Sequence, residues 1–247
     1  MDYRQEYDKW CNDPYFDDQT REELKAIAGD DKEIEDRFYR TLEFGTAGLR
    51  GVIGAGTNRM NIYTVRQATQ GLANYILAQG GQEKGVAIAH DSRLMADEFT
   101  DAAALCLAAN GIKTYVFKSL RPVPELSFAV RTLGCIAGIV ITASHNPREY
   151  NGYKVYWEDG AQVTPPHDTG IMAEVAKVTS FDMVKTMEKE KAQAEGLYQI
   201  ISDDVDESYF AELRNLSIHP EIIKKMAKDL SLIHISEPTR RVVISYA

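Results

Sequence analysis

The clearest architectural pattern lies in residues 86–142, VAIAHDSRLMADEFTDAAALCLAANGIKTYVFKSLRPVPELSFAVRTLGCIAGIVIT. Three short apolar runs, residues 86–89, 112–117 and 136–142, alternate there with two stretches whose apolar residues have helical spacing. A glycine, Gly111 or Gly134, follows each helical stretch, which is typical of a helix end. Because strands that alternate with helices of this length form parallel sheets, we predict an α/β fold, a three-layer domain with a largely parallel sheet flanked by helices.

Polar segments follow all three predicted strands. They read His-Asp-Ser-Arg at 90–93, Lys-Ser-Leu-Arg at 118–121, and Thr-Ala-Ser-His-Asn-Pro at 142–147. Ligands of open parallel sheets bind outside the carboxyl ends of the strands. We therefore expect the three segments to meet at one edge of the sheet and to hold the functional residues.

The region before residue 86 predicts a helical arm, a loop and a long helix. Residues 1–43 are strongly charged, and Thr20 with Glu23 and Asp30 with Glu33 have the spacing of capping boxes. Five glycines lie in residues 44–56, which favours a loop whose backbone must come close to something. A helix with apolar residues at three-to-four spacing follows and ends at Gly80.

The region after residue 142 predicts a hairpin, further helices and one more strand. Residues 153–157 and 161–163 flank a turn at 158–160, and Pro165 starts a charged helical stretch that runs to Glu195. A strand at 197–202 precedes helices at 206–213 and 220–229. We predict three parts: an arm at 1–43, a domain at 44–200, and the truncated start of a second, similar domain at 201–247.

Composition excludes several classes of protein. The 247 residues include 28 Lys and Arg against 37 Asp and Glu, a formal net charge of −9, which argues against nucleic-acid binding. No apolar run has the length of a membrane span, and the first residues lack the apolar stretch of a signal peptide. Three scattered cysteines are too few for a disulfide framework. We expect a cytoplasmic protein without a membrane or nucleic-acid partner.

Ser144 is the candidate for chemistry, because it directly follows the most apolar predicted strand. Its hydroxyl could instead serve only to bond a turn, and residue type alone does not separate the two interpretations. A hydrolase nucleophile is disfavoured, since the Gly-x-Ser-x-Gly pattern is absent. Phosphoryl transfer fits better, because it needs an oxygen nucleophile, cations around the phosphate and an acid or base. The cations in or beside the selected segments are Arg50, Arg93, Arg148 and Lys154.

Three segments resemble a known family. Residues 142–154, TASHNPREYNGYK, are similar to the active-site serine loop of the α-D-phosphohexomutases, and residues 44–51, FGTAGLRG, resemble the N-terminal signature of that family. Residues 90–93 match a third family segment. The resemblance covers residues 1–229 and is greatest for the phosphoglucomutase and phosphopentomutase branch.

The resemblance implies an isomerase that interconverts glucose 1-phosphate and glucose 6-phosphate through a phosphoserine and a bisphosphorylated sugar. Ser144 would carry the phosphoryl group, whose oxygen would bind Mg²⁺, and glucose 1,6-bisphosphate would be the activating intermediate. Lys154 would be the general acid or base, and His145 would contact the reacting phosphate or hydroxyl. The remaining residues, for substrate and phosphate binding or loop support, would be Arg50, Thr46, Arg93 and Asn146.

The sequence also departs from the family pattern. The metal loop Asp-Gly-Asp-x-Asp-Arg does not occur, so the resemblance implies an N-terminal fragment whose own activity is very low. Asp203, Asp204 and Asp206 are interpreted as helix-start acids rather than metal ligands. Phosphopentomutase, phosphomannomutase and a non-catalytic module that binds sugar phosphates stay open, and no oligomeric state is predicted. Residues 231–240 resemble the translation of a sequencing adapter, with a divergent strand as the alternative interpretation of residues 231–247.

Overall fold

The computed structural model describes residues 2–45 and 48–229. Its six strands are β1 Leu49–Val52, β2 Val86–His90, β3 Thr114–Val116, β4 Ala137–Ile141, β5 Tyr150–Trp157 and β6 Tyr198–Ile200. Its helices are α1 Tyr3–Asn12, α2 Asp18–Ala26, α3 Asp31–Phe38, α4 Ile62–Ala78, α5 Ala96–Ala109, α6 Val123–Thr132, α7 His167–Lys177, α8 Lys189–Ala194, α9 Asp203–Asn215 and α10 Pro220–Asp229. The residues from 230 onward, including the adapter-like segment, lie outside the described part.

The strands form one sheet in the order β1-β5-β4-β2-β3-β6. Strands β4, β2, β3 and β6 are parallel to one another. Strand β5 is antiparallel to both of its neighbours, β1 and β4. The register of β2 and β4 places His90 beside Ile141, so both strands end at the same level. The prediction of a largely parallel sheet in an α/β fold is confirmed.

Helices cover both faces of the sheet, because its strands are apolar on both sides. On one face Ile88 and Ile139 pack with Leu72 of α4 and Leu107 of α5. On the other face Ala87, Ala89 and Val140 pack with α6 and with the first turn of α9. Burial of these side chains stabilises the three layers by about 25 cal/mol per Å² of apolar surface removed from water. The sheet edge therefore rests on a rigid core.

The arm packs through an aromatic cluster of its own. Trp10 stacks on Phe16 with ring centroids 4.1 Å apart, and Tyr63 of α4 joins the same cluster. Asp30 caps α3 as predicted, by accepting a hydrogen bond from Glu33 N–H. The prediction for α2 is wrong: the Asp17 carboxylate accepts the Thr20 N–H, so this helix begins before Thr20.

One further prediction after β4 is wrong. The charged stretch is no continuous helix, because side chains of α4 bind its backbone: Gln67 donates to the Val178 carbonyl, and Gln70 accepts from Lys185 N–H.

The predicted hairpin is present in a shorter form. Trp157 N–H donates to the Ala161 carbonyl and Val163 N–H to the Val155 carbonyl, but residues 161–163 form a single antiparallel bridge to β5 rather than a strand. The glycine-rich segment contains β1 and is not entirely a loop. The assignment of α9 and α10 to a second domain stays a prediction.

No helix among residues 2–45 and 48–229 is long and apolar enough to cross a membrane.

Candidate active site

Ser144 lies in the turn between β4 and β5 and has a strained backbone. Its φ is +58°, and among the described residues one other non-glycine residue, Met95, has a positive φ, of 60°. Met95 lies in the loop after β2, the strand beside β4. Such conformations cost about 1–3 kcal/mol each and persist where the surroundings hold them, which is common at functional sites. Both strained residues thus follow the ends of two adjacent strands.

The guanidinium of Arg93 holds the serine turn. Its Nη2 donates to the carbonyls of Ser144, at 2.8 Å, and Asn146, at 2.6 Å. Its Nη1 donates to the carbonyls of Pro147 and Tyr150. The Arg93 side chain is 12% exposed. All four bonds go to backbone of the turn, so the geometry favours loop support over a direct phosphate contact for this arginine.

Arg50 and Lys154 bring positive charge to the same place. In the β1–β5 register Arg50 faces Gly152, two residues before Lys154, so the two cations lie on one face of the sheet. Arg50 Nη1 donates to Asn146 Oδ1 at 3.2 Å. Neither cation has a carboxylate of the described residues within ion-pair distance, although the charge of Asp91 acts on Lys154 from further away. This face therefore carries two cations that make no direct ion pair within the described part of the chain.

The pKa of the Lys154 ammonium lies below its ordinary value. Burial is the largest cause, the charge of Arg50 adds to it, and Asp91 acts in the opposite direction. A lysine that loses its proton more easily can take and return a proton at a sugar hydroxyl. The role of Lys154 as the general acid or base stays a prediction, and a lowered pKa agrees with it.

The backbone of the glycine-rich segment comes close to the backbone of β5, which is the close approach that its glycines predict. A Cβ on Gly48 would lie 1.9 Å from the Tyr153 carbonyl oxygen, and one on Gly152 would lie 2.5 Å from that of Thr142. These glycines let β1 and β4 sit tightly on both sides of β5. The predicted phosphate-binding residue Thr46 lies outside the described residues, so its role stays a prediction.

His145 and Arg148 lie on the outer surface of the serine turn. Both are exposed and make no hydrogen bond or ion pair to the parts of the chain that the structure describes. Asn146 is half-buried and is placed by its bond to Arg50. Hydrogen bonds thus bring Arg50, Asn146, Arg93 and the backbone of Ser144 together, and the Lys154 ammonium lies close enough to Arg50 and Asp91 for their charges to act on it.

Sequence reasoning gave no role to three residues of this edge. Asn151 is fully buried, donates to the Leu94 carbonyl and accepts from Gly152 N–H, so it ties β5 to the loop after β2. Asp91 and Thr142 bond each other through their side chains. For Asp91 and Thr142 the available signal was their position, since each is the first residue after one of two neighbouring parallel strands, whereas no local signal pointed to Asn151 within β5.

The segment at 118–121 meets the same edge, but its cations are neutralised. Arg121 N–H donates to the His90 carbonyl, which confirms that the three strand-end segments adjoin. The Arg121 side chain pairs with Asp206, and Lys118 pairs with Asp203. Both carboxylates lie in the first turn of α9, as predicted for helix-start acids. These cations therefore anchor α9.

The residues present do not form a magnesium site. Within the described ranges no group of three or more His, Cys, Asp or Glu side chains could hold a metal ion. Mg²⁺ binds through several oxygen ligands. In the acidic cluster at residues 203–206, Asp203 forms an ion pair with Lys118 and Asp206 forms one with Arg121.

Comparison with known proteins identifies the family. Residues 41–182 match the family model described as phosphoglucomutase/phosphomannomutase, alpha/beta/alpha domain I. A protein of Schizosaccharomyces pombe named "Probable phosphoribomutase" is 46% identical over 165 residues, which cover 65% of this chain and 28% of the relative. A phosphoglucomutase of Staphylococcus epidermidis is 36% identical over 185 residues, which cover 75% of this chain and 34% of the relative.

A solved structure agrees with the sequence comparisons. The crystal structure titled "putative phosphomannomutase" from Thermus thermophilus has a TM-score of 0.60 and 31% identity, with 71% of this chain and 36% of that chain covered. The chain thus spans about a third of the length of the proteins that it matches. The family model covers more than half of the chain, including the serine turn, Arg50 and Lys154, and the chain belongs to the α-D-phosphohexomutase family.

Proposed function

We propose that Ser144 carries a phosphoryl group in a phosphosugar mutase reaction. One observation supports this most: a serine held at a strained φ lies in a turn that Arg50 contacts through Asn146, on the face of the sheet that also carries Lys154, and neither cation has a carboxylate of the described residues within ion-pair distance. A turn that only connected two strands would need neither the strain nor the charges. An anionic substrate supplies the missing negative charge.

The proposed step moves phosphoryl between the serine and a sugar. As the phosphoserine donates, the bond from phosphorus to Ser144 Oγ breaks and a bond to a sugar hydroxyl oxygen forms. Lys154 accepts the proton of that hydroxyl and passes it on to Oγ as the serine is released, so the lysine ends in the state in which it began. Arg50 stabilises the charge on the transferred phosphoryl oxygens, and His145 and Asn146 contact the reacting group. The reverse step returns the other phosphate of the bisphosphate to Ser144.

The finer substrate is a second part of the proposal. We favour the interconversion of glucose 1-phosphate and glucose 6-phosphate, on the family resemblance of the serine turn. A pentose phosphate is the alternative that the 46% identity to the relative named phosphoribomutase favours. Phosphomannomutase activity stays a third alternative. Mg²⁺ on a phosphoserine oxygen, glucose 1,6-bisphosphate as activator and a cytoplasmic location stay predictions of the sequence.

Labelling with a sugar bisphosphate tests the carrier role. The chain is incubated with glucose 1,6-bisphosphate or ribose 1,5-bisphosphate, and its intact mass is followed. We expect the gain of one phosphoryl group, located by peptide mapping at Ser144 and abolished by Ser144→Ala. Ser119→Ala is the matched control, because Ser119 also follows a parallel strand but binds Arg121. It should label as the wild type does.

The alternative functions give different results. A non-catalytic sugar-phosphate module would bind the bisphosphate without any mass gain. A serine hydrolase would react with a fluorophosphonate probe, which we expect to leave Ser144 unmodified. Label that persists in Ser144→Ala would refute the carrier role. Steady-state mutase turnover by this chain alone should be very low, and rapid Mg²⁺-dependent turnover would contradict that part.

A further inference from the structure

Two neighbouring strands bring Asp91 and Thr142 side by side. The parallel register of β2 and β4 ends with His90 beside Ile141, and Asp91 N–H continues the ladder by donating to the Ile141 carbonyl at 3.2 Å. Thr142 N–H donates to the Gly152 carbonyl of β5 at 3.0 Å. The backbones of both residues are therefore fixed by the sheet, one residue beyond the ends of the strands.

The hydroxyl of Thr142 links Asp91 to the backbone of Ser144. Thr142 Oγ1 donates its proton to Asp91 Oδ2 at 2.5 Å and accepts the Ser144 N–H at 2.9 Å. Thr142 is 4% exposed, so water does not compete freely for these bonds. A hydroxyl has one proton, and because the carboxylate takes it, a lone pair of Oγ1 is left to face the Ser144 amide.

The same carboxylate also orients the arginine that holds the other side of Ser144. Asp91 Oδ1 accepts the backbone N–H of Arg93 at 3.0 Å, and the Arg93 guanidinium forms an ion pair with the carboxylate, with Nε 3.5 Å from Oδ2 and no hydrogen bond between them. Arg93 Nη2 then donates to the Ser144 carbonyl. The N–H and the C=O of Ser144 are thus both held by side chains that Asp91 binds.

We propose that Asp91 is a positioning residue for the Ser144 hydroxyl, acting through Thr142 and Arg93; the consequence for phosphoryl transfer rests on the carrier role proposed above. A φ of +58° is unfavourable for serine, and the residue keeps it because both of its peptide groups are bound. If the amide is released, the backbone turns and carries Cβ and Oγ away from Arg50 and Lys154. Asp91 does not touch the reacting atoms in this proposal.

Thr142→Val and Thr142→Ser form the matched pair that tests the link. Valine keeps the shape of threonine without the hydroxyl, whereas serine keeps the hydroxyl. Hydrogen exchange of the Ser144 amide is measured by NMR on the ¹⁵N-labelled chain, with the Val140 amide of β4 as the internal reference for global opening. The rate of labelling by glucose 1,6-bisphosphate is measured on the same samples.

We expect Thr142→Val to accelerate exchange of the Ser144 amide and to slow labelling, each by about tenfold or more, with exchange at Val140 unchanged. Thr142→Ser should restore both quantities to near the wild-type values. Asp91→Asn should slow labelling as well, because an amide can accept only one of the two bonds that the carboxylate accepts. Thr142→Val should then slow labelling by a smaller factor in the Asp91→Asn background than in the wild type, as expected for residues that act as one unit.

Wild-type exchange at Ser144 in Thr142→Val overturns the positioning role, whatever the labelling shows. Full additivity of Thr142→Val and Asp91→Asn overturns the link between them. If the wild-type chain takes no label, the carrier proposal fails, and the amide exchange still decides whether Asp91 and Thr142 hold the serine turn. If Thr142→Val does not fold, Asp91→Asn gives the same two readouts at a partly exposed position.

Discussion

Arg93 and Arg121 occupy matching positions and do different work. Each lies in the polar segment after a parallel strand, β2 for Arg93 and β3 for Arg121, and the two strands are neighbours. Arg93 donates to backbone carbonyls of the serine turn. Arg121 pairs with Asp206 of α9 and approaches Glu125 of α6. Arg93 therefore holds the backbone of the candidate active site, and Arg121 holds α9 against the sheet edge.

The difference lies in what the neighbouring segments offer each guanidinium. The turn after β4 offers carbonyl oxygens, which match the planar fork of an arginine, and the carboxylate that pairs with Arg93, Asp91, comes from its own strand-end segment. The first turn of α9 offers carboxylates, which neutralise the charge of Arg121. Position at the carboxyl end of a strand therefore indicates where a functional arginine can lie, and its partners decide its role.

The largest expected effect comes from Arg93→Ala. It removes four hydrogen bonds to the serine turn, so labelling of Ser144 should fall by about a hundredfold and the free energy of unfolding by about 2 kcal/mol. Arg93→Lys should restore only part of the labelling, because a single ammonium cannot replace the guanidinium fork. Intact-mass time courses and urea unfolding measure the two quantities.

Arg121→Ala is the matched control for Arg93→Ala. It leaves Asp206 and Glu125 without their cation, so the chain should lose about 2–3 kcal/mol of stability. Labelling of Ser144 in the folded fraction should stay within about twofold of the wild type. If Arg121→Ala stopped labelling and Arg93→Ala did not, the comparison between the two arginines would be reversed.

A smaller effect, which depends on pH, is expected from Glu125, the carboxyl that Arg121 approaches next to Asp206. Burial, with Asp206 beside it, raises the pKa of this 2%-exposed carboxyl to about 7 from 4.5. The folded chain therefore binds this proton more tightly than the unfolded chain does. Its stabilisation is complete below pH 4.5 and declines as the pH rises through 7. The hydrogen bond from Arg121 lowers the pKa of Asp206, so the contribution of Asp206 to the stability of the fold is lost only at much lower pH.

Glu125→Gln isolates this effect. Between pH 5 and pH 8 the free energy of unfolding of the wild type should fall relative to that of the variant by roughly 2 kcal/mol. Urea unfolding at several pH values gives the difference, in which the other titrating groups cancel. A difference that stays constant across this range would show that Glu125 is ionised in the same way in both states.

The smallest expected effect concerns the pair Arg50 and Lys154. Arg50→Gln removes one of the two causes that lower the pKa of Lys154, so this pKa should rise while burial still holds it down. Titration of the lysine side chain by ¹³C NMR measures the change. A lower or unchanged pKa would mean that the two cations do not act on each other.

The central part of the fold was predictable because its signals are local. Apolar runs of strand length, helical spacing and helix-end glycines specify β2, α5, β3, α6 and β4, and the rule for parallel sheets gives the edge where Ser144 lies. Neither β1 nor the antiparallel placement of β5 could be read in this way. The pairing of β1 with β5 joins segments about a hundred residues apart, which no local pattern encodes, and β5 runs antiparallel to β4 because the serine turn reverses the chain between them.

The sequence predicted where the candidate site lies, but it predicted only some of the hydrogen bonds and ion pairs that its residues form. The sequence showed the cations of the edge, but the roles of Arg93 and Arg121 depend on which acceptors the fold places near each of them. The break in the charged stretch after α7 has a similar origin, since Gln67 and Gln70 of α4 bind its backbone across the fold. Tertiary contacts of this kind override local helix propensity.

Transfer of phosphate out of the serine tests the central claim most directly. The chain is first labelled at Ser144, freed of excess bisphosphate, and then incubated with glucose 1-phosphate or ribose 1-phosphate. Intact mass follows the protein, and ³¹P NMR follows the sugar. We predict that the phosphoryl group leaves Ser144 and appears as a sugar bisphosphate, more slowly in Lys154→Gln. Phosphate that stays on Ser144, or is released only as inorganic phosphate, would contradict the account.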